Sequence, residues 1–161
     1  MRKFSFISVI LCLMFLFAFT GCTGDTDSKE VVLSDVLASI NSKFAISENE
    51  MMWIETADDL ELYYNIAPAD VKQFAAETTV NSATDITEII LVEAVDSDSA
   101  QRVYDALQIR YNSQRDLCAS YSAELLAIVN ECSVARNGNY IALIMSSDFD
   151  DITEWYNSYF D

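Results

Sequence analysis

The sequence predicts an α+β domain: a four-stranded antiparallel sheet built from two hairpins, with helices packed mainly on one face. Three observations lead there. The hydrophobic period switches along the chain in the order helices, two strands, two helices, two strands, helix. Each strand pair is joined by a short turn-forming segment, Asn81-Ser82-Ala83-Thr84-Asp85 in one and Asn137-Gly138 in the other, so each pair is a local antiparallel hairpin. The 140 residues from Cys22 onward suit one domain with one core, and they hold only Gly24, Gly138 and Pro68 as backbone breakers.

Ser34 is placed to cap a first helix, after which Leu33, Val36, Leu37, Ile40 and Phe44 share one face. Met51 to Ile54 is a short apolar patch that reads equally as helix or strand. Thr56 with Asp59 three residues on resembles a capping box, aspartate replacing glutamate, and predicts a short helix over 57–64. Pro68 suits the first position of a further helical turn.

From about Lys72 the pattern changes to strands over 72–80 and 86–95. In the second, Ile86, Ile90, Val92 and Ala94 fall on one face and Ile89, Leu91 and Val95 on the other. Apolar residues on both faces place that strand inside the sheet.

Asp96-Ser97-Asp98 opens the longest helix, about 98–117, with the stripe Ala100, Val103, Tyr104, Leu107, Tyr111 and Cys118. A helix over 122–130 buries Leu125, Leu126 and Val129. Asn137-Gly138 between two apolar runs favours a type I′ turn. Ser147 to Asp151 caps a last helix carrying Ile152, Trp155, Tyr156, Tyr159 and Phe160 on one face.

Ahead of this domain stands a run of about sixteen apolar residues, Phe4 to Phe19, after Arg2 and Lys3 and before Thr20-Gly21-Cys22. A basic head, an apolar stretch and a small residue before cysteine form the pattern of a lipoprotein signal. The expected organisation is a signal peptide over 1–21, a lipidated tether over 22–31 and one domain over 32–161. Cys22 is the expected lipidation site, and the membrane reached through it is the expected anchor on the extracytoplasmic face. Eight or nine flexible residues span about 15–18 Å, which keeps the domain close to the bilayer.

Without Arg2 and Lys3, 7 basic residues remain against 26 acidic ones, a balance of −19. That excludes a nucleic-acid partner, which needs a basic surface, and docking on anionic headgroups. A solvated acidic surface favours a soluble monomer. Cys118 and Cys132 remain after Cys12 and Cys22 are set aside. A helix between them separates them by roughly 13–20 Å, too far for a disulfide, so both read as small buried hydrophobes.

The chain has no histidine. Ser-His-Asp and Cys-His catalysis, histidine bases and histidine metal ligands are thereby excluded. No Cys-x-x-Cys pair offers a zinc site, and two glycines cannot make a phosphate loop. Neither a metal nor a cofactor is expected. Asp25-Thr-Asp27, Asp96-Ser-Asp98 and Asp148-Phe-Asp150-Asp151 resemble fragments of calcium loops. From Asp96 the sixth and twelfth positions are Gln101 and Leu107, and from Asp148 they are Thr153 and Phe160. Neither supplies the glycine and bidentate glutamate of an EF-hand, so these two clusters read as helix N-caps.

Glu88 interrupts the apolar face of Ile86, Ile90 and Val92. A buried carboxylate must be paired or protonated, with Arg110 or Arg102 the candidate partner and Glu88–Arg110 the favoured ion pair. Its functional alternative is the general acid of a glycan-cleaving pair. The aromatics Trp53, Tyr63, Tyr64, Tyr140, Trp155 and Tyr156 sit mostly at core-facing spacings; Trp53 is the one to examine for exposure.

Tyr64 to Ile66, Glu88 with Ile89-Ile90-Leu91, Arg110-Tyr-Asn-Ser-Gln114, Tyr121 and Asn137-Gly-Asn-Tyr140 follow one another over some hundred residues. In this order and spacing the region from about residue 63 onward resembles an uncharacterised family of bacterial lipoproteins, the domain of unknown function four-three-five-eight. The position after Tyr121, often proline in that family, is Ser122 here. The resemblance implies a membrane-anchored extracytoplasmic domain and brings no activity, ligand or functional residue with it. The expected role is a non-catalytic binding or accessory module with a protein or cell-envelope partner. The alternatives are an acid-dependent glycan hydrolase using Glu88 and a calcium-binding surface module.

Overall fold

A computed structural model of the chain describes residues 31–160. The apolar run, Cys22, the Asp25–Asp27 cluster and the tether up to residue 30 lie outside the described residues.

The sheet has five strands where four are expected. They are β1 (Met51–Ile54), β2 (Val71–Thr79), β3 (Glu88–Ala94), β4 (Ser133–Asn137) and β5 (Tyr140–Met145). Their order is β1-β2-β3-β5-β4, and every neighbouring pair is antiparallel. The two expected hairpins, β2–β3 and β4–β5, are joined along β3 and β5. The additional strand is the ambiguous patch Met51–Ile54. It pairs with the end of β2 from Met51 opposite Thr79 to Ile54 opposite Ala76.

Five helices are found among the described residues: α1 (Leu33–Phe44), α2 (Ala57–Tyr64), α3 (Ser97–Tyr121), α4 (Ala123–Glu131) and α5 (Phe149–Asn157). They cover both faces of the sheet, three on one and two on the other, where the expectation placed them mainly on one face. Leu60 and Tyr64 of α2, Val103, Leu107 and Cys118 of α3, and Leu125 and Val129 of α4 pack on Ile90, Val92, Ile141 and Leu143. Leu33, Val36, Leu37 and Ile40 of α1 and Ile152 and Tyr156 of α5 pack on Ile89, Leu91, Ala142 and Ile144. The reason is visible in β3, where all seven residues are buried. A sheet open on one side would leave Ile89, Leu91 and Ile144 in water, at roughly 1.5–3 kcal/mol for each such side chain.

Local chemistry explains the boundaries. Thr56 and Asp59 form a complete capping box: Thr56 Oγ1 accepts from Asp59 N at 3.1 Å and Asp59 Oδ2 accepts from Thr56 N at 3.0 Å. Asp96 caps α3 by accepting from Ser99 N at 2.7 Å, and Ser122 caps α4 by accepting from Leu125 N. Pro68 opens a single 3-10 turn, Pro68–Asp70.

Two local expectations are corrected. Ser34 does not cap α1; the amide that opens the helix, Leu33 N, donates instead to Gln73 Oε1 of β2 at 3.0 Å. The tight turn between β4 and β5 is Gly138-Asn139, one residue later than expected. Gly138 has φ +61° and Asn139 is not in the positive region. That is the type II′ pattern, with glycine at the first central position, and not type I′.

Candidate functional site

Polar side chains buried in an apolar sheet must find hydrogen-bond partners, and several do so here. Glu88 opens β3 on the face covered by α2 and α3, and its side chain is 2% exposed. Arg110, three turns into α3, places Nε 3.0 Å from one Glu88 oxygen and 3.2 Å from the other. Tyr64, at the end of α2, adds a side-chain hydrogen bond to Glu88, and its ring lies 5.7 Å from the Arg110 guanidinium carbon. Burial first, and then the Glu88 charge, push the Tyr64 hydroxyl above the ordinary tyrosine range. With its amide turned so that the oxygen faces α3's own Arg110, Gln114 accepts from Nη1 and Nη2. Four residues from three elements thus close one strut across the first core.

Arg102, the other candidate partner for Glu88, goes elsewhere. Its Nε and Nη2 make two bonds to Asp70, at 2.9 and 2.6 Å, and Nη2 also reaches Ser99 Oγ. The Arg102 bonds hold the Asp70 carboxyl below its usual range, against the opposing effect of burial.

On the other face, Glu93 takes Lys72 Nζ at 2.8 Å and Gln73 Nε2 at 2.6 Å. Successive strand residues normally point to opposite faces. A bulge between Val71 and Gln73 lets both reach the same carboxylate. Burial raises the Glu93 carboxyl, but the bonds from Lys72 and Gln73 outweigh it and the net shift is downward.

One further buried carboxyl faces α1. Glu77 of β2 is 0% exposed, and Asn41 Nδ2 donates to its Oε2 at 3.0 Å. Its Oε1 and the Asn41 Oδ1 have no hydrogen-bond partner. Burial raises the Glu77 carboxyl, more than the Asn41 bond lowers it. This residue was missed in the sequence, although a glutamate between Ala75 and Thr79 on an inward-facing register carries the same signal as Glu88.

The surface offers a different feature. Among the described residues β1 is an edge strand, paired only with β2. Met52 and Trp53 at its centre are 41% and 43% exposed. Between Lys43 and Lys72 the chain holds seven acidic residues and no basic one. Glu48, Glu50, Glu55, Asp58 and Glu61 are exposed around the strand. The opposite edge, β4, is guarded: Arg136 reaches from it to Gln101 and Ser97 at the start of α3.

A groove of about 520 Å³ between α4 and the start of α5 is lined by Ile128, Glu131, Ser146, Asp148 and Asp151. Glu88 does not line it. Asp148 holds the N-cap position of α5 without a side-chain cap bond, which corrects the reading of this cluster as a capping group. Among the described residues no group of three or more acidic or cysteine side chains is arranged to hold a metal ion. Cys118 and Cys132 are free and buried. Burial pushes the Cys132 thiol up. Among the described residues no helix is long and apolar enough to cross a membrane.

These features define a class: an α+β domain whose five-stranded antiparallel sheet is covered on both faces, braced by buried carboxyl pairs and open along one acidic edge. The chain belongs to the family described as the domain of unknown function DUF4358, which matches residues 45–146. That span runs from the end of α1 to the end of β5, and it contains Tyr64, Glu88, Arg110 and Gln114. No curated protein and no solved structure matches the chain.

Proposed function

We propose that this chain is a non-catalytic binding module, held to the extracytoplasmic face of a membrane by a lipid on Cys22, which takes an extended basic polypeptide segment along the free edge of β1. The open edge carries the binding reading. An unpaired strand presents a row of backbone donors and acceptors, and a peptide can add to it as a further strand. Met52 and Trp53 supply apolar contact there. The surrounding carboxylates select the charge of the partner, because complementary charge speeds encounter and rejects acidic competitors. The anchor rests on the basic head, apolar run and Cys22 of the sequence.

The hydrolase alternative needs an acid that reaches a glycosidic oxygen. Both oxygens of Glu88 are engaged by Arg110, and the side chain lies beneath α2 and α3. That arrangement suits a brace better than a proton donor.

The test is a titration of the isotopically labelled protein with an alternating lysine–valine peptide, followed by amide chemical shifts. The expected shifts concentrate at residues 50–55 and vanish with an alternating glutamate–valine peptide. Shifts scattered over the acidic surface would refute edge recognition.

A further inference from the structure

Asn41 and Glu77 face each other inside the second core with one hydrogen bond made and two atoms left over. Asn41 Nδ2 donates to Glu77 Oε2, while Asn41 Oδ1 and Glu77 Oε1 are both buried and both without a partner. As a carboxylate, Glu77 is acceptor-only and can do nothing for a second acceptor. Two orphaned acceptors in one apolar layer are costly.

Among the described residues no cation relieves the site. The described residues hold six basic side chains, and all are engaged away from Glu77. Lys43 lies 3.8 Å above the Trp155 ring, Lys72 is on Glu93, Arg102 on Asp70, Arg110 on Glu88 and Arg115 on Asp116. Arg136 binds Gln101, Ser97 and the Gly138 carbonyl. The elements around Glu77 add no positive charge. α1 presents Asn41, β1 presents Trp53 and β3 presents Ile89, while the turn before β1 contributes the negative charge of Glu48.

We propose that Glu77 is a neutral carboxylic acid in the folded protein, joined to Asn41 by two antiparallel hydrogen bonds that latch the end of α1 to the sheet. A proton on Oε1 turns that atom into a donor aimed at Asn41 Oδ1, while Oε2 keeps accepting from Nδ2. Both orphaned atoms are satisfied in one step.

The position of the latch follows from element geometry. The start of α1 is held to β2 by Gln73, which accepts from Leu33 N and donates to the Val31 carbonyl. From Leu33 to Asn41 the helix advances about 12 Å at 1.5 Å per residue. From Gln73 to Glu77 the strand advances about 13 Å at 3.3 Å per residue. The pitches match, so α1 lies along β2 with a polar clamp at each end, and only the second depends on a proton.

The sign of the pH effect is fixed by the direction of the shift. The carboxyl is raised in the folded state, so the latch contributes fully below the ordinary glutamate range. Its contribution is lost as pH rises through the folded value. Raising the pH above the ordinary glutamate range should therefore loosen α1 before the sheet.

The experiment follows the Glu77 side-chain carboxyl carbon by NMR from pH 4 to 10, with melting curves of the wild type and Glu77→Gln over the same range. Glutamine preserves the pairing without a proton, since its amide donates to Asn41 Oδ1 and accepts from Nδ2. The expected result is a Glu77 signal that stays in its protonated position after the exposed glutamates have titrated. The wild-type melting temperature should then fall as pH rises from the ordinary glutamate range towards the folded value, and that of Glu77→Gln should not. A Glu77 signal titrating together with the exposed glutamates would overturn the proposal even if Glu77→Gln failed to fold. So would a pH slope over that range shared equally by both proteins.

Discussion

Arg110 closes both oxygens of Glu88 from a single nitrogen, Nε lying 3.0 Å from one and 3.2 Å from the other. The two residues are not equally buried. Glu88 is 2% exposed at its side chain and Arg110 is 30% exposed. Removing either partner therefore has different consequences. Arg110→Met leaves a carboxylate sealed in the core and should cost about 3–5 kcal/mol. Glu88→Gln leaves an acceptor for Arg110, which also reaches water, and should cost roughly 1–3 kcal/mol. Urea unfolding of the two variants gives the order directly. An Arg110→Met protein as stable as the wild type would show that the strut bears no load.

Asp70 should contribute to the acid limit of stability through its pairing with Arg102. Its carboxyl is held below the usual range chiefly by the Arg102 bonds. A depressed carboxyl contributes stability above its unfolded value and loses it as pH falls through the folded one. The loss should begin below about pH 4, the ordinary aspartate range. Asp70→Asn should flatten that acid limb in melting curves. Arg102 is 58% exposed, so the effect is modest and weakens with salt. An unchanged acid limb would assign it to other carboxylates.

Cys22 has a chemical test of its own. Cells fed a radioactive fatty acid should label this protein, and Cys22→Ala should abolish the label. Cys118 and Cys132 are buried, so neither offers an alternative acceptor in the native fold. A Cys22→Ala protein that still carries label would refute the lipid anchor.

Much of the fold was legible because period and capping are local. The alternation in β3 assigned Ile90 and Val92 to one core and Ile89 and Leu91 to the other, as found. The Thr56–Asp59 box was readable because both partners lie within three residues. β1 was not, since four residues with only the ends buried carry no period. Nor was the second helical layer. The stripes on α1 and α5 show that each helix has a buried side, but not which face of the sheet receives it.

The site was legible by half. Glu88 announced itself by interrupting an apolar face, and Arg110 was among its candidate partners. Tyr64 and Gln114 joined it only through the packing of α2 and α3. The Gln73 cap on α1 spans 40 residues, and the Asn41–Glu77 pair spans 36. No window of sequence holds such pairs together, because they form only when α1 settles along β2.

The most direct test of the binding reading is a photo-reactive amino acid at position 52, activated in intact cells, with the adduct identified by mass spectrometry. The account predicts a cross-link to an extended segment rich in lysine or arginine, lost when Trp53 is replaced by lysine to place a charge on the edge. A cross-link indifferent to Trp53→Lys, or an adduct with an acidic segment, would contradict it.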